Sequence, residues 1–173
     1  KRDGFCFGHY TDCWKRTYFS GNNPEWGASL MNGAWACAHL VDSYRFTGDR
    51  EDLKKSLPIL ESNARFIMSW FEEDDQGHYL SGPGVSPETG FYAPDGTGPN
   101  VLSYVSNGTS HDQLLGRESL RNYIYACGEL GIRTPTLVKA VQFLKKIPQP
   151  AIGSDGRVLE WRQPFEEMQK GHR

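Results

Sequence analysis

Residues 81–96 read SGPGVSPETGFYAPDG and separate two helical patterns on their N-terminal side from two on their C-terminal side. The stretch holds three prolines and four glycines, so neither a helix nor a central strand is predicted to run through it. Pro87 restricts its own backbone and biases Ser86 towards an extended conformation, so Glu88 is predicted to project at a defined angle. The pattern therefore indicates an ordered loop that presents one carboxylate between helices.

A carboxylate on a stiffened loop suits a general acid, because the proton donor must lie within hydrogen-bonding reach of the reacting group. The aromatic neighbours Phe91 and Tyr92 are expected to help keep Glu88 protonated by excluding water. The alternative that the residues leave open is a surface turn with a solvated glutamate. Glu160 lies in another ordered motif. We expect Glu160 to have a structural role or to position substrate; the alternative is that Glu160, and not Glu88, is the general acid.

Length and composition indicate a chain of one domain with an apolar share adequate for a core. The chain has 173 residues and a net charge of −2 with scattered basic residues, which argues against nucleic acid or an anionic membrane as partner. No apolar run approaches the length of a membrane span. Five Trp, eight Tyr and nine Phe permit a carbohydrate site, although cores use aromatic residues too. No cluster of His, Asp and Glu has metal-ligand spacing, so neither metal nor cofactor is expected.

The start of the chain and its four cysteines are the features that bear on its cellular location. The chain starts at Lys1 and lacks a signal-like apolar region, so we expect a fragment or processed piece, with a secreted or extracellular location as the working expectation. Cys37 and Cys127 fall on apolar helical stretches and are predicted to be buried thiols. Cys6 and Cys13 could form a bridge if the protein is secreted, but we treat all four as structural.

Hydrophobic periodicity predicts four main helices in paired order, compatible with a barrel, a bundle or a helical repeat. The predicted bounds are 30–46 with Gly48 as stop, a short helix 50–55 followed by a longer one that Pro58 opens, 112–130, and 135–146 after a Thr134 cap. Residues 1–28 look irregular, residues 78–80 look extended, and residues 150–161 predict a turn followed by a short strand.

Several polar and aromatic residues are candidates for binding, each with a structural alternative. Trp35, His39 and Asp42 share one face of the first helix, where core packing is the commoner role for a Trp and a His. Asp12 could form a turn, and with His9 it could bind a ligand or sugar. Asp112 lies near a helix start, where capping and the helix dipole explain an Asp as well as substrate binding does.

Residues 82–88 (GPGVSPE) resemble the Gly-Pro-x-x-Ser-Pro-Glu loop of glycoside hydrolase family 95, the inverting α-L-fucosidases and α-L-galactosidases. The most specific match is 33–40 (GAWACAHL) with 44–49 (YRFTGD), which resemble Gly-Ala-Trp-x-x-x-His-Leu and Tyr-x-Phe-Thr-Gly-Asp of that family. Other stretches match in the same order: 3–14, where Phe5 and Gly8 replace a Trp and a His; 111–113, where His111 stands for a Met; 150–161; and 171–173. Further departures are Leu30-Met31, Asn32 and Val41-Asp42-Ser43.

The resemblance implies that residues 1–173 are part of a single (α/α)6-barrel catalytic domain, truncated at both ends. The expected fold class is therefore all-α, a partial (α/α)6 barrel with about four main helices in hairpins and long functional loops. The resemblance also implies that Glu88 is the general acid and that the base is an Asp outside this chain. The substrate-binding residues it suggests are His9, Asp12, Trp35, His39, Asp112, Glu160 and His172.

The implied function is hydrolysis of terminal α-L-fucosyl or α-L-galactosyl residues from an oligosaccharide or glycan, with inversion. The chain alone is expected to be inactive. The residues do not discriminate between the two sugars, which differ by one hydroxyl. A catalytically silent helical homologue that binds carbohydrate or protein is the alternative, because of the departures around Trp35.

Overall fold

The computed structural model describes residues 2–8, 10–14, 16–18, 24–93 and 101–171. Within these ranges the helices are α1 (Pro24–Gly27), α2 (Asn32–Thr47), α3 (Arg50–Trp70), α4 (Ser110–Leu130) and α5 (Pro135–Lys146). The strands are β1 (Tyr10–Thr11), β2 (Thr17–Tyr18), β3 (Glu72–Glu73), β4 (Tyr79–Leu80), β5 (Gly84–Val85), β6 (Phe91–Ala93), β7 (Val101–Ser103), β8 (Val105–Ser106) and β9 (Glu166–Glu167). None of the helices in these ranges combines the length and the apolar character needed to span a bilayer.

Helix α2 confirms the first predicted helix and ends at its predicted stop. Gly48 adopts a left-handed conformation (φ 70°), and its N–H donates to the carbonyl of Tyr44 at 2.7 Å. The inward face of α2 is narrow because its buried side chains are small: Ala34, Cys37, Ala38 and Val41. This face lets α3 and α4 pack closely against α2.

Helix α3 is continuous from Arg50 to Trp70, so the predicted break before Pro58 is wrong. A proline inside a helix removes one backbone hydrogen bond and costs about 3 kcal/mol. The buried stripe outweighs this cost, because each large apolar side chain contributes roughly 1.5–3 kcal/mol when buried; the stripe consists of Leu53, Leu57, Leu60, Ala64 and Ile67. Pro58 itself is exposed. Asp49 caps the helix by accepting from the N–H groups of Glu51 and Asp52.

Helix α4 begins two residues earlier than predicted, because Thr109 and not Asp112 is its N-cap. The Thr109 hydroxyl accepts from the N–H of Asp112 at 3.2 Å. Gly131, with φ 68°, ends the helix as predicted. Helix α5 confirms its prediction, since the Thr134 hydroxyl caps it by accepting from the N–H of Leu137 at 3.0 Å.

The hydrophobic core lies around α4, which packs against α2, α3 and α5. Its fully buried side chains include Leu53, Leu60, Ile67, Leu120 and Tyr123. Cys37 and Cys127 are buried as predicted, and burial raises the pKa of the Cys37 thiol to about 11, so this thiol stays protonated. Cys6 and Cys13 are exposed and unpaired.

Short antiparallel strands connect the helices. The predicted all-α class therefore holds for the helical core but not for the connecting segments, which contain strands. Strand β6 is the middle strand of the sheet β7-β6-β9, with Phe91 paired to Ser103 on one side and to Glu167 on the other. The prediction that no central strand runs through 81–96 is therefore wrong for residues 91–93. They contain neither Gly nor Pro, so their backbone is free to pair on both sides.

Two smaller predictions are also corrected. Residues 1–28 are not irregular throughout, because β1 pairs with β2 and α1 forms one helical turn. The short strand predicted at the end of 150–161 is a single bridge between Ile152 and Val158, and β9 forms later in the chain. The extended conformation predicted within residues 78–80 is confirmed, since β4 covers Tyr79 and Leu80 and pairs with β3 across the turn at 74–77.

Candidate active site

The first turn of α4 holds the start of the 81–96 stretch in place. The Gln113 side chain accepts from the N–H of Ser81 at 2.9 Å and donates to the carbonyl of Tyr79 at 3.1 Å. The N–H of Gly108 donates to the carbonyl of Ser81 at 2.7 Å. Gln113 and Ser81 are buried, so these hydrogen bonds are shielded from water. The loop is therefore ordered by contacts with a helix that follows it in the chain.

Glu88 occupies a tight turn in this loop. The N–H of Thr89 donates to the carbonyl of Ser86 at 3.0 Å, which puts Pro87 and Glu88 at the two central positions of the turn. The Gly82–Pro83 and Pro87–Glu88 peptide bonds are cis. Ser86 and Thr89 are buried whereas Glu88 is exposed. The turn thus anchors both flanks of Glu88 and leaves its carboxylate accessible.

Glu160 connects this turn to the start of α4. Its Oε1 accepts a hydrogen bond from the hydroxyl of Ser86. Its backbone carbonyl accepts from the N–H of Ser110 at 3.0 Å, and the Ser110 hydroxyl donates to the neighbouring carbonyl of Leu159. The 159–160 segment is therefore bonded to the first residue of α4 and to the glutamate loop at once.

An aromatic cluster supports the same region from within. The ring of Phe91 lies 4.8 Å from that of Trp161 and stacks on Phe165 at 4.3 Å. Trp161 is only 1% exposed. Phe91 therefore packs β6 against the 161–165 segment. Glu88 is exposed to solvent, so the expectation that Phe91 and Tyr92 would shield it from water is not met.

A cavity of about 640 Å³ lies where these segments meet α2 and α4. Of the residues that the sequence suggested, Trp35 and Glu160 line it, and Thr89, the neighbour of Glu88, lines it too. Trp35 is 60% exposed, which makes it an accessible aromatic face and not a core residue. The remaining lining residues are Ser110, His111, Leu114, Leu115, Arg157, Val158, Leu159, Glu167 and Gln169.

Other candidates lie elsewhere. His39 is exposed on α2 and does not line the cavity, although it lies one turn from Trp35. Asp12 forms a turn, since its Oδ1 accepts from the N–H groups of Trp14 at 2.9 Å and Arg16 at 3.2 Å. The predicted residues His9 and His172 lie outside the described residues.

Asp112 is buried beside the cavity, and its neighbour His111 is the residue that lines it. Asp112 is 1% exposed, and its Oδ1 lies 3.2 Å from Nδ1 of His111. His111 was not among the residues singled out from sequence. The available signal was a histidine directly before an aspartate at a helix start, at a position where the family motif has a methionine.

Arg157 adds a positive charge to the cavity wall and was also missed. Its guanidinium pairs with Asp155 at 2.7 Å. The pKa of the Asp155 carboxyl lies below its ordinary value, first because the backbone N–H of Arg157 donates a hydrogen bond to it and second because the Arg157 guanidinium does so too. Among the described residues, no group of three or more His, Cys, Asp and Glu side chains is placed to hold a metal ion.

Carboxylates and an accessible tryptophan around one cavity are typical of carbohydrate-processing proteins. The model of the glycosyl hydrolase family 95 catalytic domain matches residues 1–173. The chain therefore belongs to glycoside hydrolase family 95, and the resemblance drawn from its motifs is confirmed. It is 33% identical over 165 residues to alpha-L-fucosidase 2 of Arabidopsis thaliana, a match that covers 94% of this chain and 19% of that protein. The chain thus spans about a fifth of the length of this curated relative.

Proposed function

We propose that the protein to which this chain belongs hydrolyses terminal α-L-fucosyl or α-L-galactosyl groups of a glycan with inversion, and that Glu88 is its general acid. The observation that carries the proposal is the position of Glu88 on an ordered turn next to the cavity, although Glu88 itself does not line it. Its turn is anchored by Ser86 and Thr89, and Thr89 lines a cavity that Trp35 and Glu160 also line. The helices α2–α5 then form part of an (α/α)6 ring around this cavity.

The geometry favours different tasks for the two carboxylates. Glu88 is exposed, so its carboxyl group can come within hydrogen-bonding reach of a leaving-group oxygen. Oε1 of Glu160 already accepts from the Ser86 hydroxyl, which favours a positioning role for this residue. In an inverting hydrolase the base lies about 6.5–9.5 Å from the acid, so that water fits between the base and the sugar.

Trp35 provides the aromatic face against which a sugar ring packs. L-fucose carries a methyl group, and an aromatic ring removes such apolar surface from water at about 25 cal/mol per Å². Because Trp35 is 60% exposed, a bound sugar can bury more of its ring surface.

The test is an assay of the complete protein on 2'-fucosyllactose and on aryl α-L-fucoside and α-L-galactoside, with the anomer of the first product followed by NMR. The proposal expects release of the β anomer from at least one α-glycoside. Release of the α anomer would refute inversion. Binding of these sugars without any hydrolysis would favour the silent carbohydrate-binding homologue instead.

A further inference from the structure

His111 and Asp112 form a close side-chain pair at the start of α4. The Asp112 carboxylate lies in the first turn of α4, where the helix dipole favours a negative charge. An ionised carboxylate only accepts hydrogen bonds, so with Asp112 in that form His111 Nδ1, at 3.2 Å from Asp112 Oδ1, is the donor. In the neutral ring, the other nitrogen, Nε2, is then an acceptor.

The loop that carries Glu88 locks Asp112 in this orientation. A Cβ atom at position 84 would lie 1.9 Å from Oδ2 of Asp112, so the backbone of Gly84 packs directly against the carboxylate. Oδ2 has no hydrogen-bond partner among the described residues, and the residue is almost completely buried. Close packing against Gly84 therefore leaves the carboxylate few alternative orientations, and His111 is held with it.

His111 is placed to use this acceptor on a ligand. Its side chain is 19% exposed and lines the same cavity as Trp35 and Glu160. A sugar bound there presents hydroxyl groups around an apolar ring, and a hydroxyl is the donor that a neutral imidazole nitrogen accepts.

The geometry points to a hydroxyl-recognition role: His111 Nε2 accepts a hydrogen bond from one ring hydroxyl of the bound sugar, and Asp112 is its positioning residue. This inference rests on the proposed function, since it takes the cavity as the sugar site. It adds a specificity determinant at a position where the family motif has methionine, which has no comparable acceptor.

The experiment uses the complete protein and compares His111→Met with His111→Gln, two side chains of similar size of which only glutamine keeps a strong acceptor. Inhibition by L-fucose and by its 2-, 3- and 4-deoxy derivatives is measured for each variant. His111→Met should weaken L-fucose binding about 3- to 10-fold, the usual worth of one hydrogen bond. His111→Gln should lose less, and one deoxy sugar should bind the native protein and His111→Met equally well. Ile59→Met, a change at an exposed position of α3 that does not line the cavity, serves as control.

Three results would overturn the inference. Unchanged L-fucose binding by His111→Met would exclude the hydrogen bond. An equal loss for L-fucose and every deoxy sugar, shared by the Gln variant, would show a structural role. If the native protein neither binds nor cleaves any α-L-fucoside or α-L-galactoside, the proposed function fails, and this inference fails with it. The first two outcomes leave the proposed function intact, so the two failures are distinguishable.

Discussion

The hydroxyl of Ser86 donates a hydrogen bond to Oε1 of Glu160, which ties the residue two positions before Glu88 to a carboxylate 74 residues further along the chain. Ser86 is fully buried, so the donor end of this part-buried hydrogen bond is shielded from water. The carbonyl of Glu160 also accepts from Ser110. The position of the Glu88 turn is therefore set by two segments that are distant in sequence.

Replacing Glu88 by glutamine should lower kcat on 2'-fucosyllactose by about 10²–10⁴-fold, the usual worth of positioned proton transfer. The sugar leaving group of this substrate needs protonation, whereas a fluoride or activated aryl leaving group does not. The loss on an α-L-fucosyl fluoride should therefore be far smaller, and steady-state kinetics on both substrates measures the difference. Equal losses on the two substrates would remove Glu88 from the acid role.

Replacing Ser86 or Glu160 by alanine should lower kcat through misplacement of the Glu88 turn, by up to roughly 10²-fold. Because both changes break the same hydrogen bond, the double variant should lose little more than either single one. Glu160→Gln keeps an acceptor for Ser86 and should retain most of the activity. A loss for Glu160→Gln as large as that for Glu88→Gln would instead indicate that Glu160 acts on the substrate.

Replacing Gly84 by alanine should destabilise the protein by about 1–3 kcal/mol, because the added methyl group would overlap Oδ2 of Asp112. Thermal unfolding of the complete protein measures this change. The control is Gly128→Ala in α4, where nothing lies within 4 Å of the added methyl group. Alanine should raise stability there by up to about 1 kcal/mol. Equal melting temperatures for Gly84→Ala and the native protein would contradict the close packing.

Replacing Trp35 by alanine should raise KM and leave the melting temperature nearly unchanged, because Trp35 lines the cavity and is mostly exposed. Phe46→Ala is the matched control, since Phe46 is 92% exposed on the same helix and does not line the cavity. His39→Ala should behave like the control, although the sequence had placed His39 beside Trp35. A larger rise in KM for His39→Ala than for Trp35→Ala would reverse this assignment.

Local signals in the sequence determined where most helices begin and end. Gly48 and Gly131 stop their helices because glycine adopts the left-handed conformation readily, and Thr134 caps α5 through a hydrogen bond within one turn. The motifs at 82–88, 33–40 and 44–49, taken together in their order along the chain, also identified the family without any structure. Such features depend on residues a few positions apart, so a linear reading captures them.

Tertiary packing decided what the local signals left open or predicted wrongly. Pro58 did not break α3, because burial of a long apolar stripe outweighs one lost backbone hydrogen bond. The sequence placed Trp35 and His39 on one helical face. The packing of α4 and the 157–169 segment against α2 forms the cavity, and it is lined by Trp35 but not by His39. The bond between Ser86 and Glu160 and the contact of Gly84 with Asp112 likewise join residues far apart in sequence. Contacts of this kind depend on how the elements pack in space, which no local pattern encodes.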